Sequence, residues 1–273
     1  MKKRHNIIID SWKLVKENKI LFLPNILLFI IHIFFIVILA KISGISNMVL
    51  ENNYLGLKEV IFSAKTLIFL LVYTLVLLFV DNYFLAAKYG MIKDLIVKKK
   101  TNIHNAIRFA NKHYLVTIKI HILSYLIIFI PLILLFVLLF LFIPTNPFIA
   151  IGLFLPLMMV YFVYISIRLL FVYPIMTFEN KGAYQSLVKD FHFVKTHAHH
   201  TFMTWLIVLV IVMVTGIAKE NFLKVTSFIY QQIAFLGFLL ILLILLVEFT
   251  VSVWEHVFIF KSYLAGKKIK KKK

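Results

Sequence analysis

Four ionisable side chains inside the long apolar runs of this 273-residue chain are the strongest candidates for function, because a charge is costly there. They are Asp81, Arg168, Glu248 and Glu255. A charge at the centre of a bilayer costs at least about 2.5–3.5 kcal/mol on insertion scales, so such a residue has a partner or a function. Carboxylates and a guanidinium that share one cavity could bind a polar solute or relay protons. In the alternative interpretation, Arg168 forms an ion pair that fixes the register of its helix, and Glu255 reaches the headgroups.

A group of histidines suggests a second chemistry, because imidazole is a ligand of zinc, copper and nickel. The group consists of His192, His197, His199 and His200. It has no second pair of ligands at a known spacing and no H-E-x-x-H motif, and the chain has no cysteine. The pattern therefore favours histidines that face anionic headgroups. We expect no metal site and no cofactor.

The composition is that of a membrane protein, with 62% hydrophobic residues and a mean hydropathy of +0.98. The net charge of +19 would suggest nucleic acid as the partner of a soluble protein. Here the basic residues flank apolar runs, so the expected partners are the lipid bilayer and its anionic headgroups, and no nucleic acid.

Six apolar runs reach the length of about 17 residues that a helix needs to cross hydrocarbon. They cover residues 20–40, 66–87, 114–143, 148–176, 202–218 and 228–260. They are continuously apolar, without the alternation of a barrel strand, and this predicts helices. We therefore expect an all-α fold in which residues 1–273 form a single six-span membrane domain. Pro24 and Pro131 should kink their spans, and residues 143–147 should form the turn between spans three and four.

Lysine and arginine alternate in number between successive connections. Four of these connections, residues 1–19, 88–113, 177–201 and 261–273, are called the basic segments; they carry six, seven, three and seven, a total of 23. The other connections, residues 41–65, 144–147 and 219–227, carry five together. The positive-inside bias then places both termini in the cytoplasm, with residues 261–273 as a polybasic cytoplasmic tail. The alternation requires an even number of spans. The expected location is the cell membrane.

A short amphipathic stretch with an apolar stripe, in each of the first three basic segments, precedes an outward-crossing span. The stripes contain Ile8, Trp12 and Val15; Ile103, Ala106, Ile107 and Ala110; and Tyr184, Leu187, Val188, Phe191 and Val194. Helical spacing predicts that these segments lie in the membrane interface, with Asp190 on a polar face of the third. The pattern indicates three units of an interfacial helix plus a transmembrane hairpin, although the common need to anchor a helix entrance would produce it by convergence.

One motif resembles a known family. Arg168 late in span four, then Pro174, then Glu179 at the exit, followed by the amphipathic segment 186–195, is similar to the membrane domain found with some glycerophosphodiester phosphodiesterases and to related uncharacterised six-span families. The resemblance implies the six-span fold. It implies no hydrolase activity, because the longest polar segment has fewer than about thirty residues and cannot hold a catalytic domain.

No phosphate loop, G-x-S-x-G or H-E-x-x-H motif occurs, so no enzyme activity is expected. The sequence favours a multi-pass membrane protein with a non-enzymatic, lipid-associated or membrane-assembly role. The alternative is a transporter or permease, in which Asp81, Arg168, Glu248 and Glu255 form an inward-facing polar site between spans two, four and six. An intramembrane lipid enzyme is the third and least favoured interpretation.

Overall fold

The computed structural model describes residues 2–44, 63–142 and 147–270. Within those ranges 94% of the residues are helical and none lies in a strand. Six of the helices are long and apolar enough to cross a membrane. The prediction of an all-α protein with six spans is therefore confirmed, and the chain is a multi-pass membrane protein.

Nine α-helices follow one another in the described ranges, and a 3₁₀ helix (Lys19–Phe22) lies between the first two. They are α1 (Lys2–Glu17), α2 (Leu23–Ser43), α3 (Ala64–Lys98), α4 (Ile103–Phe142), α5 (Pro147–Arg168), α6 (Val172–Glu179), α7 (Ala183–Thr196), α8 (Ala198–Gln232) and α9 (Ala234–Lys270). The six candidate spans are Lys19–Ser43, Ala64–Lys98, Ile103–Leu139, Ile151–Glu179, Ala198–Ser227 and Phe235–Lys268. Pro24 does not interrupt its span, because it lies in the first turn of α2, where its missing N–H has no intrahelical partner to lose.

The fifth span is longer than the sequence indicates. Residues 219–227 were predicted to connect spans five and six, but α8 continues to Gln232 and the chain turns at Ile233. The charges that suggested a loop are paired within helices. Lys224 lies 3.2 Å from Glu220 one turn away, and Lys219 pairs with a residue of α9.

The fourth span is broken into two helices. Helix α5 ends at Arg168, residues 169–171 form a turn, and α6 begins at Val172. Pro174 lies in the first turn of α6, where a residue without an N–H is tolerated, whereas one long helix would lose a hydrogen bond there. The break exposes the first N–H groups of α6.

The three amphipathic segments each divide their apolar stripe between two environments. In the first, Val15 is buried and Trp12 is half exposed. In the second, Ala106 and Ala110 are buried while Ile103 and Ile107 are exposed; in the third, Leu187 and Val194 are buried while Tyr184 and Val188 are exposed. One side of each stripe thus packs on protein, and the other is available to lipid.

The second segment differs from the other two in its connection to the span. It is continuous with α4, whereas α1 and α7 are separate helices that end before their spans begin. Residues 143–146 of the predicted turn and residues 45–62 of the connection 41–65 lie outside the described residues, and Pro147 is the first residue of α5.

Contacts between residues divide the chain into two compact units. The first contains residues 1–19, 92–101 and 119–273, and its core includes the cluster Phe171, Ile175, Phe193 and Tyr263. The second contains residues 20–91 and 102–118, where Gly90 allows a close approach to Phe109. In α9 of the first unit most of the buried side chains lie between Val253 and Tyr263, toward the lysine-rich end, while Phe235 is exposed.

Candidate functional site

Glu179, the last residue of α6, is bound by donors from two other helices. Its Oε1 accepts hydrogen bonds from the Tyr263 hydroxyl (2.6 Å) and the Lys267 ammonium (2.8 Å), and its Oε2 pairs with Lys189. The Glu179 side chain is only 8% exposed, so an ionised carboxylate there requires these partners. Lys189 belongs to the third basic segment and Lys267 to the fourth. This carboxylate therefore joins two of the basic segments that the sequence assigns to one side of the membrane.

Arg168, one of the predicted site residues, attaches span four to α7. Its guanidinium donates a hydrogen bond to the backbone carbonyl of Phe191 (3.2 Å). It also lies over the rings of Tyr164 and Phe191, 5.2 and 5.8 Å from their centroids. These contacts are local and fix the position of the amphipathic helix against the broken span.

Asp190 of α7 fills the break in span four and is fully buried. Its Oδ2 accepts a hydrogen bond from the backbone N–H of Phe171 (3.1 Å), and the N–H of Val172 also bonds to this carboxyl group. The side chain thus caps α6 from a neighbouring helix. Oδ1 is buried and has no hydrogen-bond partner among the described residues. Burial raises the pKa of Asp190 well above its usual range, and this outweighs the opposing effects of the two N–H groups and Arg168.

The prediction that Asp190 lies on a polar face of its helix was wrong. The buried side of α7 contains Ser186, Leu187, Asp190, Phe193 and Val194. Periodicity could not identify an aspartate as part of this face, because its partners are backbone groups freed by a break in another helix. The same contacts give a role to the Arg168, Pro174 and Glu179 motif, since all three residues define or bind the junction with α7.

Glu248 forms an ion pair with Lys219 across the hairpin of α8 and α9. Lys219 lies 14 residues before the turn at Ile233 and Glu248 lies 15 residues after it, so the two occupy the same level of the hairpin. Cavities of about 270 and 300 Å³ adjoin the pair. Glu255 lines the larger cavity together with Lys219 and Glu248. The structure therefore brings Glu248 and Glu255 into one cavity, between spans five and six.

Asp81 belongs to the second compact unit, where it faces a histidine of span one. Asp81 Oδ1 lies 3.8 Å from His32 Nε2. The other ring nitrogen, Nδ1, lies 2.8 Å from the backbone carbonyl of Leu28 and must donate to it, because a carbonyl only accepts. Sequence reasoning did not single out His32, although an ionisable residue near the middle of span one was the available signal.

A polar cavity of about 350 Å³ lies between α1, the end of α3 and α9. Its charged lining residues are Asp10, Lys13, Glu17, Lys99 and Lys261. They come from the first, second and fourth basic segments. Together with the contacts of Glu179, this cavity shows that residues of all four basic segments, including Lys99 of the second, lie along α9 in the first compact unit. We call the surface they form the lysine-rich face.

The histidines of the third basic segment make separate contacts. His200 Nε2 donates a hydrogen bond to the Ser262 carbonyl (2.8 Å), and His197 Nδ1 lies 3.1 Å from the Phe193 carbonyl. In the part of the chain that the structure describes, no three His, Cys, Asp or Glu side chains are placed to hold a metal ion.

The four predicted site residues thus have different surroundings. Asp81 faces His32, Arg168 binds α7, and Glu248 pairs with Lys219 in a cavity shared with Glu255. Comparison of the chain with family models, curated proteins and solved structures finds no match. The chemistry of these sites is therefore inferred from their own geometry.

Proposed function

We propose that this chain is a non-enzymatic membrane protein that binds anionic phospholipid headgroups at its lysine-rich face. The proposal is based on two sets of contacts along α9, the Asp10–Lys99–Lys261 cavity and the Glu179–Lys189–Lys267 ion pairs. Together they include residues from all four basic segments. Each lysine near an anionic lipid surface contributes about 1 kcal/mol of attraction. In the first unit, the exposed stripe residues Trp12 and Tyr184 are available to enter the membrane interface.

In this proposal the lysine-rich face lies in the cytoplasm and the protein resides in the cell membrane. The resemblance to the membrane domain of glycerophosphodiester phosphodiesterases fits such a role, because the motif that carries it positions α7 and contributes no catalytic group. The charged residues within the spans then stabilise helix contacts.

Lipid binding is tested in nanodiscs of phosphatidylcholine with and without phosphatidylglycerol. The triple variant Lys16→Gln, Lys181→Gln, Lys195→Gln removes exposed cations of the lysine-rich face. We expect it to retain less phosphatidylglycerol than the wild type, with a weaker salt dependence. The matched control Lys41→Gln, Lys65→Gln, Lys224→Gln removes the same charge from positions that the proposed orientation places away from the lysine-rich face. Equal retention by the two triple variants would contradict the proposal.

The orientation can be tested separately, because the chain has no cysteine of its own. We expect a membrane-impermeant maleimide added to intact cells to label Lys65→Cys and not Lys268→Cys; both positions are exposed. Disruption of the membrane should make both reactive. Labelling of Lys268→Cys in intact cells would show that this end of the chain lies outside the cell, which contradicts the proposed orientation.

A transporter is the second candidate, favoured by the ion pair and second carboxylate in the α8–α9 cavity. A transport role requires that Glu255→Gln keep normal membrane abundance and lose solute flux in vesicles. Glu220→Gln, an exposed carboxylate on α8, is the control. Normal flux in the Glu255 variant would exclude this residue from a transport pathway.

A further inference from the structure

The cavity of the lysine-rich face contains charges of both signs. Lys13, Lys99 and Lys261 contribute ammonium groups, and Asp10 and Glu17 contribute carboxylates. A surface that only attracts anionic lipid gains nothing from two carboxylates among its cations. The mixture instead matches a ligand that carries one negative and one positive group.

The charges are also arranged so that neither sign is fully neutralised within the protein. Lys13 and Glu17 lie 3.8 Å apart on the exposed side of α1, a long and solvent-screened ion pair. Lys261 interacts electrostatically with both Asp10 and Lys99. Lys99 adopts a left-handed backbone (φ 63°) directly after α3, a position at which glycine is usual. The cavity thus presents cations at Lys99 and Lys261 beside the carboxylates of α1.

The position of the cavity along the spans is that of lipid headgroups. Glu17 ends α1 two residues before span one begins, and Lys99 follows the last residue of α3. The sixth span has 34 residues and is about 50 Å long, more than the roughly 30 Å of hydrocarbon in a bilayer. Lys261 lies about 39 Å along this helix from Phe235, so a span that enters the bilayer at Phe235 carries it beyond the hydrocarbon layer.

We propose that this cavity binds the phosphoethanolamine headgroup of a zwitterionic phospholipid. The phosphate is bound by Lys99 and Lys261, and the primary ammonium donates its three N–H groups to Asp10 and Glu17. Phosphocholine fits less well, because its quaternary ammonium has no N–H and is usually held by aromatic rings, which are missing from the described residues that line the cavity. Phosphoglycerol fits less well because it has no cation for the carboxylates. This inference rests on the proposed function, since it assumes that the lysine-rich face contacts headgroups.

The test uses the full-length protein in phosphatidylcholine nanodiscs that contain equal amounts of phosphatidylethanolamine and phosphatidylglycerol, with retained lipids counted by native mass spectrometry. We expect the wild type to retain phosphatidylethanolamine about tenfold over phosphatidylcholine, as one charge-assisted hydrogen bond would provide. The variant Asp10→Asn, Glu17→Gln should lose this preference and retain more phosphatidylglycerol. The variant Lys99→Gln, Lys261→Gln should retain less of both.

Matched controls are Glu220→Gln for the carboxylates and Lys65→Gln for the lysines, since both are exposed and lie outside the cavity and the lysine-rich face. Melting temperatures of all variants check folding; Asp10, Glu17 and Lys99 are exposed, so their variants should fold.

The outcomes separate this inference from the proposed function. Retention of phosphatidylglycerol above phosphatidylethanolamine by the wild type would leave the proposed function standing and overturn the headgroup assignment. An unchanged preference in the carboxylate variant would also overturn it. If the wild type prefers neither phosphatidylethanolamine nor phosphatidylglycerol over phosphatidylcholine, both the headgroup assignment and the proposed function are overturned. If soluble phosphoethanolamine binds and phosphatidylethanolamine does not, the ligand is not a lipid and the inference fails.

Discussion

Lys219 and Glu248 form an ion pair between α8 and α9, each about 21–23 Å along its helix from the turn at Ile233. The two side chains are 42% and 34% exposed, on a hairpin whose neighbouring surface is apolar. The pair allows two charged residues to lie within candidate membrane spans at matching levels.

Removal of one member of this pair should destabilise the protein. In Glu248→Gln the Lys219 ammonium loses its counter-ion within a span, with an expected cost of about 2–3 kcal/mol. We expect the yield of monodisperse protein in fluorescence-detected size-exclusion chromatography to fall several-fold. The double variant Lys219→Met, Glu248→Leu should recover it, because an apolar pair needs no counter-ion. The exposed pair Glu220–Lys224 is the control, and its single variants should be neutral. A double variant no better than Glu248→Gln would refute the pairing.

Asp190→Ala should destabilise the start of α6, at the break in span four. The N–H groups of Phe171 and Val172 would lose their acceptor in a buried site, at an expected cost of about 1–3 kcal/mol. Asp190→Asn keeps a carbonyl oxygen as acceptor and should cost less. Thermal unfolding in detergent measures both, and an alanine variant as stable as the wild type would show that the cap contributes nothing.

The buried Asp190 should also make stability depend on pH. Because burial raises its pKa above the usual 3.8, the folded state binds a proton more tightly than the unfolded state does. Its contribution to stability is therefore complete below pH 3.8 and is lost as the pH rises through the raised pKa. We expect the melting temperature of the wild type, relative to Asp190→Asn, to decrease with pH across this window. An increase would mean that the folded state favours the carboxylate.

Gly90→Ala should weaken the contact between α3 and α4. A Cβ at this position would lie 2.7 Å from the Cβ of Phe109, which cannot move without its helix. We expect a loss of about 1–3 kcal/mol in thermal unfolding. Gly216→Ala in α8 is the control, since no atom lies within 4 Å of its added Cβ and alanine favours the helix. Equal effects at the two positions would exclude the close approach as the cause.

Much of the fold could be predicted from the sequence because hydropathy is a local property. The free energy of moving an apolar run into lipid is close to a sum over its residues, so composition identifies the spans without knowledge of their contacts. Helical spacing similarly placed Val15, Ala106 and Leu187 on apolar stripes, and the structure buries all three. It also selected Trp12 and Tyr184, which are exposed, because an apolar stripe can face either protein or lipid.

The sequence alone thus determined the class of protein, the six spans and the four basic segments. Only the tertiary structure decided that Lys219 pairs with Glu248, that Asp190 caps α6, and that Glu179 joins Lys189 to Lys267. These contacts join residues that are 10 to 88 positions apart in the chain, and their energies depend on distances that no local pattern contains. The length of α8 was also decided by such contacts, because Lys219 pairs with Glu248 of α9 and Lys224 with Glu220 one turn away.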